Sequence, residues 1–268
     1  MSRVISIFII TILLMVSVPS YAIEESNIIT IIDGELVEGG NESILKDSRL
    51  IVPLRIISEK LGYDVHWDSE TATVKIENAE NILQIGIGKK EAIFNGKILT
   101  IDVKPFIKNN ITYVPLRFIS EVFNREVSWD NNNRVAIVGD YTTKGYLEEE
   151  NYFKYESLEN GFSLKIPSEL KDKLIIKESK NRVIFYDAYS HGDKTKDEGG
   201  LLFRVSKTYS PQVLDIIPGY LLNYDSGVYY IAEFASDVQY DPEDEVTSEN
   251  YLELLNASRN LLRSFVVE

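Results

Sequence analysis

The chain has 268 residues (30.6 kDa), with 28 Lys+Arg against 42 Asp+Glu, a formal charge of −14, two His and no Cys. At roughly 150 residues per domain the length predicts about two domains. The missing Cys excludes disulfides, thiolate metal sites and Cys nucleophiles, and the acidity argues against nucleic acid or anionic lipid as a partner.

A short basic start at Arg3 leads into an apolar run, residues 4–16, and then into Pro19 and small residues before Ala22. That is the layout of a secretory signal peptide cut after Ala22, with no stable membrane span remaining after cleavage; the alternative is an uncleaved N-terminal anchor, for which the apolar run is short. The expected location is therefore extracytoplasmic, secreted or held in a cell envelope. A Cys-free exported chain leans toward a bacterial surface.

Residues 23–140 are organised by a repeat. Shifted by 62, Val52, Pro53, Leu54, Arg55, Ile57, Ser58, Glu59, Val65, Trp67 and Asp68 recur identically at Val114, Pro115, Leu116, Arg117, Ile119, Ser120, Glu121, Val127, Trp129 and Asp130. The same shift places Asp33-Gly34 on Asn95-Gly96. In each copy the Asx-Gly pair predicts a tight hairpin, since both turn residues tolerate φ > 0. A short strand then enters a helix at Pro53 or Pro115, whose missing N–H costs nothing in a first turn. Leu54, Ile57 and Leu61, or Leu116, Ile119 and Phe123, form one apolar face, and Gly62 or Asn124 stops the helix. A second hairpin carries V-x-W-D and returns at residues 72–76 or 135–138. The unit predicts an α+β fold with a largely antiparallel sheet.

Arg55 and Glu59, like Arg117 and Glu121, stand four apart and suit an ion pair or a ligand clamp. The reading preferred here is that each Arg bridges its helix to the loop bearing Asp68 or Asp130, because a guanidinium fork matches a carboxylate. Trp67 and Trp129 are expected in the core beside Val65 and Val127.

The doubled VPLR-x-ISE…V-x-WD pattern, with its Asx-Gly hairpin and the Pro105-Phe106-Ile107 segment, resembles the copper amine oxidase N-terminal domain-like (stalk domain) family over residues 28–139. The resemblance implies an extracytoplasmic module common in Gram-positive surface proteins, and a non-catalytic stalk remote from the copper and the quinone of the parent oxidases. The repeated residues are accordingly structural, with no cofactor and no amine oxidase activity.

Residues 141–150 end in three acids and are read as a linker. Residues 151–268 form a second α+β domain. Strands are expected at 152–155, 162–167, 182–186, 200–205 and 228–232, with a last helix capped by Ser248 and running to Arg263. The order weakly resembles PsbP/Mog1-like α+β sandwiches. Catalytic signatures are missing here. Ser190-His191 reads as a surface pair. The acidic run 241–245 lacks a calcium-loop spacing and reads as a solvated loop. Glu198, Asp237 and Asp241 are the carboxylates from which a hydrolytic pair would be drawn. The expectation is an exported, non-catalytic envelope protein whose stalk-like module supports a domain binding an envelope polymer or protein. The alternative is an extracellular hydrolase with a catalytic C-terminal domain.

Overall fold

A computed structural model describes residues 28–38, 43–46, 48–142, 151–191 and 199–268. The expected signal peptide, most of the linker, and Glu198 lie outside the described residues.

In chain order the first half carries β1 (Ile29–Ile32), β2 (Glu35–Leu36), β3 (Ile44–Lys46), β4 (Arg49–Pro53), α1 (Leu54–Lys60), β5 (Asp64–Asp68), β6 (Thr73–Glu77) and β7 (Ile82–Gly86). It continues with β8 (Glu91–Phe94), β9 (Lys97–Thr100), β10 (Phe106–Lys108), β11 (Ile111–Pro115), α2 (Leu116–Val122), β12 (Val127–Asp130) and β13 (Val135–Val138). The Asx-Gly hairpins form as expected. Asp33 and Gly34 have φ of 48° and 83°, and Asn95 and Gly96 have 48° and 80°. Both helices take Pro as the capping residue that closes the preceding strand, one position before the first turn. They stop at the left-handed Gly62 and Asn124. Their apolar faces are buried, with Ile57 and Ile119 fully inaccessible.

No sheet belongs to one copy alone. One has the order β12-β13-β1-β2, a second β10-β11-β4-β3 and a third β5-β6-β7-β8-β9. In the second sheet β4 and β11 run antiparallel with Val52 opposite Val114. Residues 62 apart thus face each other, and the two copies meet about a local pseudo-twofold axis. Every pairing is antiparallel except β1 with β13. In the third sheet β7 intervenes between the corresponding strands β6 and β8.

The second half pairs β14 (Tyr152–Ser157) with β15 (Phe162–Pro167), and β21 (Val266–Val267) adds to β15. Its five-stranded sheet contains β16 (Leu174–Ser179), β17 (Arg182–Asp187), β18 (Leu201–Thr208), β19 (Gly219–Asp225) and β20 (Val228–Glu233), in the order β16-β17-β18-β20-β19. Helix α3 (Glu245–Leu261) closes this core with Tyr251, Leu254 and Leu261. Asp244, not Ser248, caps it, accepting from the N–H groups of Val246 and Thr247. An aspartate offers this cap without leaving the helix a turn short at its N-terminus. The α+β expectation holds in part, since strands dominate and helices are few. No described helix is long and apolar enough to cross a membrane.

The halves share a third apolar cluster. Ile31, Val135 and Ile137 from the first half pack on Leu214, Leu221, Tyr229 and Ile231 from the second. Each such aliphatic side chain contributes about 1.5–3 kcal/mol when fully buried. The Gly34 carbonyl also accepts the Leu221 N–H at 2.7 Å. A Cβ on Gly34 would sit 2.3 Å from the Tyr141 Cβ and 2.6 Å from the Leu221 carbonyl, so the contact requires glycine.

Candidate functional site

The repeated residues build two equivalent grooves. The first, about 510 Å3, is walled by Pro53, Leu54, Arg55, Val65, Trp67 and Val74 from copy one and by Ile107, Asn110, Ile111 and Thr112 from copy two. The second, about 180 Å3, is walled by Pro115, Leu116, Arg117, Val127, Trp129 and Ala136 with Leu45, Ser48, Arg49 and Leu50. Every one of these residues has its counterpart 62 positions away. Each groove is a seam between the helix and Trp hairpin of one copy and the paired strands of the other.

The grooves differ in how far they are open. Trp67 is 44% exposed, so its expected place in the core is corrected. It sits on β5, an edge strand as β12 is for Trp129, so the difference between the two rings lies in what packs against them and not in strand position. Trp129 is half-buried and packs against the main core, nearer the expectation. Where Ile111 lines the first groove, Arg49 lines the second and pairs with Asp102.

The expected Arg-to-Asp bridges do not form. The Arg55 Nη1 donates to the Glu59 Oε1 at 3.1 Å and to the Val65 carbonyl at 2.9 Å. The helix is therefore tied to β5 through the main chain. Arg117 lies 3.9 Å from Glu121, in an exposed pair of the kind that contributes at most a few tenths of a kcal/mol. The physical reason is that both aspartates are already used by their own turns. Asp68 accepts from the Glu70 N–H and the Thr71 hydroxyl, and Asp130 from the Asn132 N–H and the Asn133 side chain. The Thr71 hydroxyl and these backbone bonds hold the Asp68 carboxyl below its ordinary range.

The two aspartates have different surroundings. Asp68 is open to solvent, whereas Asp130 is 3% exposed and accepts the Tyr229 hydroxyl from the second half. Burial disfavours the charge on Asp130, but bonds from Asn133, Tyr229 and the turn outweigh it and keep its pKa low. Burial, and then the Asp130 bond, push the Tyr229 phenol far up. Asn133 adds a bond to the Tyr209 carbonyl at 3.0 Å.

In the second half His191 is buried, not on the surface as expected, because the Tyr186 ring packs on it in a tilted contact at 4.2 Å and its Nδ1 meets the Gly199 carbonyl. The Ser190 hydroxyl donates to Asp187 at 2.5 Å rather than to His191, so these residues do not form a nucleophile–base pair. Asp237 accepts from Gln239, and Asp241 from the Glu243 N–H. Among the described residues, no cluster of three or more His, Asp or Glu could hold a metal.

The fold therefore defines a doubled, β-rich module with two Trp-lined seams, docked on a second β-rich unit. Residues 31–138 match the family model of the copper amine oxidase N-terminal domain. A curated relative from Brevibacillus choshinensis named "Protease inhibitor" is 29% identical over 133 residues, covering 46% of this chain and 41% of that protein. The chain thus matches less than half of its relative's length.

Ile111, Leu45 and Arg49 are not singled out by the sequence, and Ile107 only as part of a family segment, although the 62-residue offset relates the four pairwise. Extending the comparison past identical residues to equivalent ones finds the groove walls.

Proposed function

We propose that this is an exported, non-catalytic binding protein of a Gram-positive cell envelope, and that its partner is a protein. The observation that carries the reading is the pair of grooves. The repeated residues converge on apolar seams with few polar groups, suited to recognition rather than to proton or nucleophile chemistry. The relative's printed name supports a protein partner over an envelope polymer. The docked second half makes the tandem-repeat domain, residues 23–140, and the C-terminal domain, residues 151–268, work as one platform. The repeated Val, Pro, Leu and Arg residues shape that platform, and no cofactor takes part.

The test is incubation of the secreted chain with the exported protein fraction of its host and with a panel of peptide and glycan substrates. A stable complex with one or a few proteins, without turnover of any substrate, is expected. Turnover that depends on residues of the second half would replace this reading by the hydrolase alternative.

A further inference from the structure

Among the described residues, the chain covers the aspartate turn of one copy of the repeat and leaves that of the other open. In copy two the aspartate turn is sealed by Tyr229, and Arg49 with its partner Asp102 narrows the groove. In copy one the equivalent turn is solvent-facing and Trp67 is exposed beside Ile107, itself 47% exposed. We propose that this open groove receives an extended segment of the protein partner in which apolar and basic residues alternate, laid along β5 as an added strand. The proposal rests on the reading of a protein partner above and specifies its recognition chemistry.

Main-chain geometry carries the first part. Among the described residues, strand β5 pairs only with β6 in its sheet. The Val65 carbonyl accepts from Arg55 at 2.9 Å, so it is turned away from β6. In an antiparallel ladder alternate residues present both main-chain groups to the same side, which turns the N–H and C=O of Trp67 outward too. Both bonds of Arg55 use Nη1, leaving Nε and Nη2 as donors at the rim for a carbonyl of the added strand.

Charge carries the second part. Val65 and Trp67 occupy one face of β5, and Asp64, His66 and Asp68 the other. On β6, Glu77 stands opposite Asp64, Lys75 opposite His66 and Thr73 opposite Asp68, and Lys75 is held by Glu77 at 2.6 Å, so no cation faces either aspartate across the pair. A strand added beside β5 sets its own alternate residues on these two faces. Apolar side chains then reach Trp67, and Lys or Arg side chains stand next to Asp64 and Asp68, where opposite charges stabilise the pairing.

Trp67 and Trp129 are the only two tryptophans of the chain, so each can be made the sole reporter. The probe is an eight-residue peptide alternating valine and lysine, titrated by fluorescence into the Trp129→Phe and Trp67→Phe proteins. A saturable blue shift is expected in Trp129→Phe and none in Trp67→Phe, weakening with salt and at least tenfold weaker when Asp64→Lys is added. If Trp129→Phe does not fold, calorimetric titration of the wild type and of Asp64→Lys makes the same comparison. No response to the peptide overturns the proposal. So does an equal response to a valine–glutamate peptide, or a response only to peptidoglycan fragments. Retention of the same exported protein by wild type and Asp64→Lys alike would sink the groove while leaving the binding function standing.

Discussion

The phenol of Tyr229 donates to the carboxylate of Asp130, which lies 99 residues earlier in the chain and is buried by the contact. Through this bond the turn of copy two becomes part of the junction between the halves, while its counterpart at Asp68 stays in solvent. A hydrogen bond to a buried charge is worth about 1.5–3 kcal/mol. Tyr229→Phe should lower unfolding stability by about that amount in urea titration, and Asp68→Asn should leave the midpoint close to wild type. A Tyr229→Phe midpoint equal to wild type would mean that the Asp130 contact adds nothing.

Two glycines in equivalent hairpins separate backbone strain from interface contact. Gly34 and Gly96 share nearly the same φ, 83° and 80°, but a Cβ on Gly96 meets open space. Gly96→Ala should cost about 1 kcal/mol from conformation alone. Gly34→Ala should cost several-fold more, because Tyr141 and Leu221 must move. Thermal unfolding of the two variants side by side checks this.

The same junction sets a pH window. The pKa of Asp130 is lowered by folding, so the stability it contributes is present above the ordinary aspartate value near 3.8 and lost as pH falls through the depressed one. The pKa of Tyr229 is raised, so its contribution is complete below about 10 and lost as pH rises through the elevated value. Stability of the junction should therefore be flat between these limits and fall on both sides. Asp130→Asn should weaken the acid limb specifically, measured as denaturant midpoint against pH.

The two tryptophans should divide stability from binding. Trp129→Ala removes a half-buried ring from the core surface and should destabilise by about 2–4 kcal/mol, toward the lower end of large-to-small core changes. Trp67→Ala should destabilise clearly less than Trp129→Ala, because its ring is 44% exposed, and should abolish partner retention. Loss of stability in both variants alike would place Trp67 in the core after all.

Much of the fold was legible because it is local. The Asp33-Gly34 and Asn95-Gly96 turns, the Pro53 and Pro115 helix starts and the Leu54-Ile57-Leu61 face depend on neighbours within one or two turns. What escaped depends on distant partners. The three-residue strands at 44–46 and 106–108 are too short for periodicity and exist because β4 and β11 pair with them. Strand β19 reads as GYLLNYD, without clean alternation, because both of its faces meet apolar neighbours. The groove was hidden for a related reason. Trp67 and Trp129 read alike in sequence and both lie on edge strands, and only the distant residues packed around each ring separate them.

Copy two thus serves the inside of the molecule and, as proposed above, copy one its partner. Hydrogen exchange of the secreted chain, alone and bound to the protein it retains from the exported fraction, tests this most directly. Added protection at β5 and at β10–β11, with β12–β13 unchanged, is the predicted result. Protection confined to the second half, residues 151–268, would contradict it.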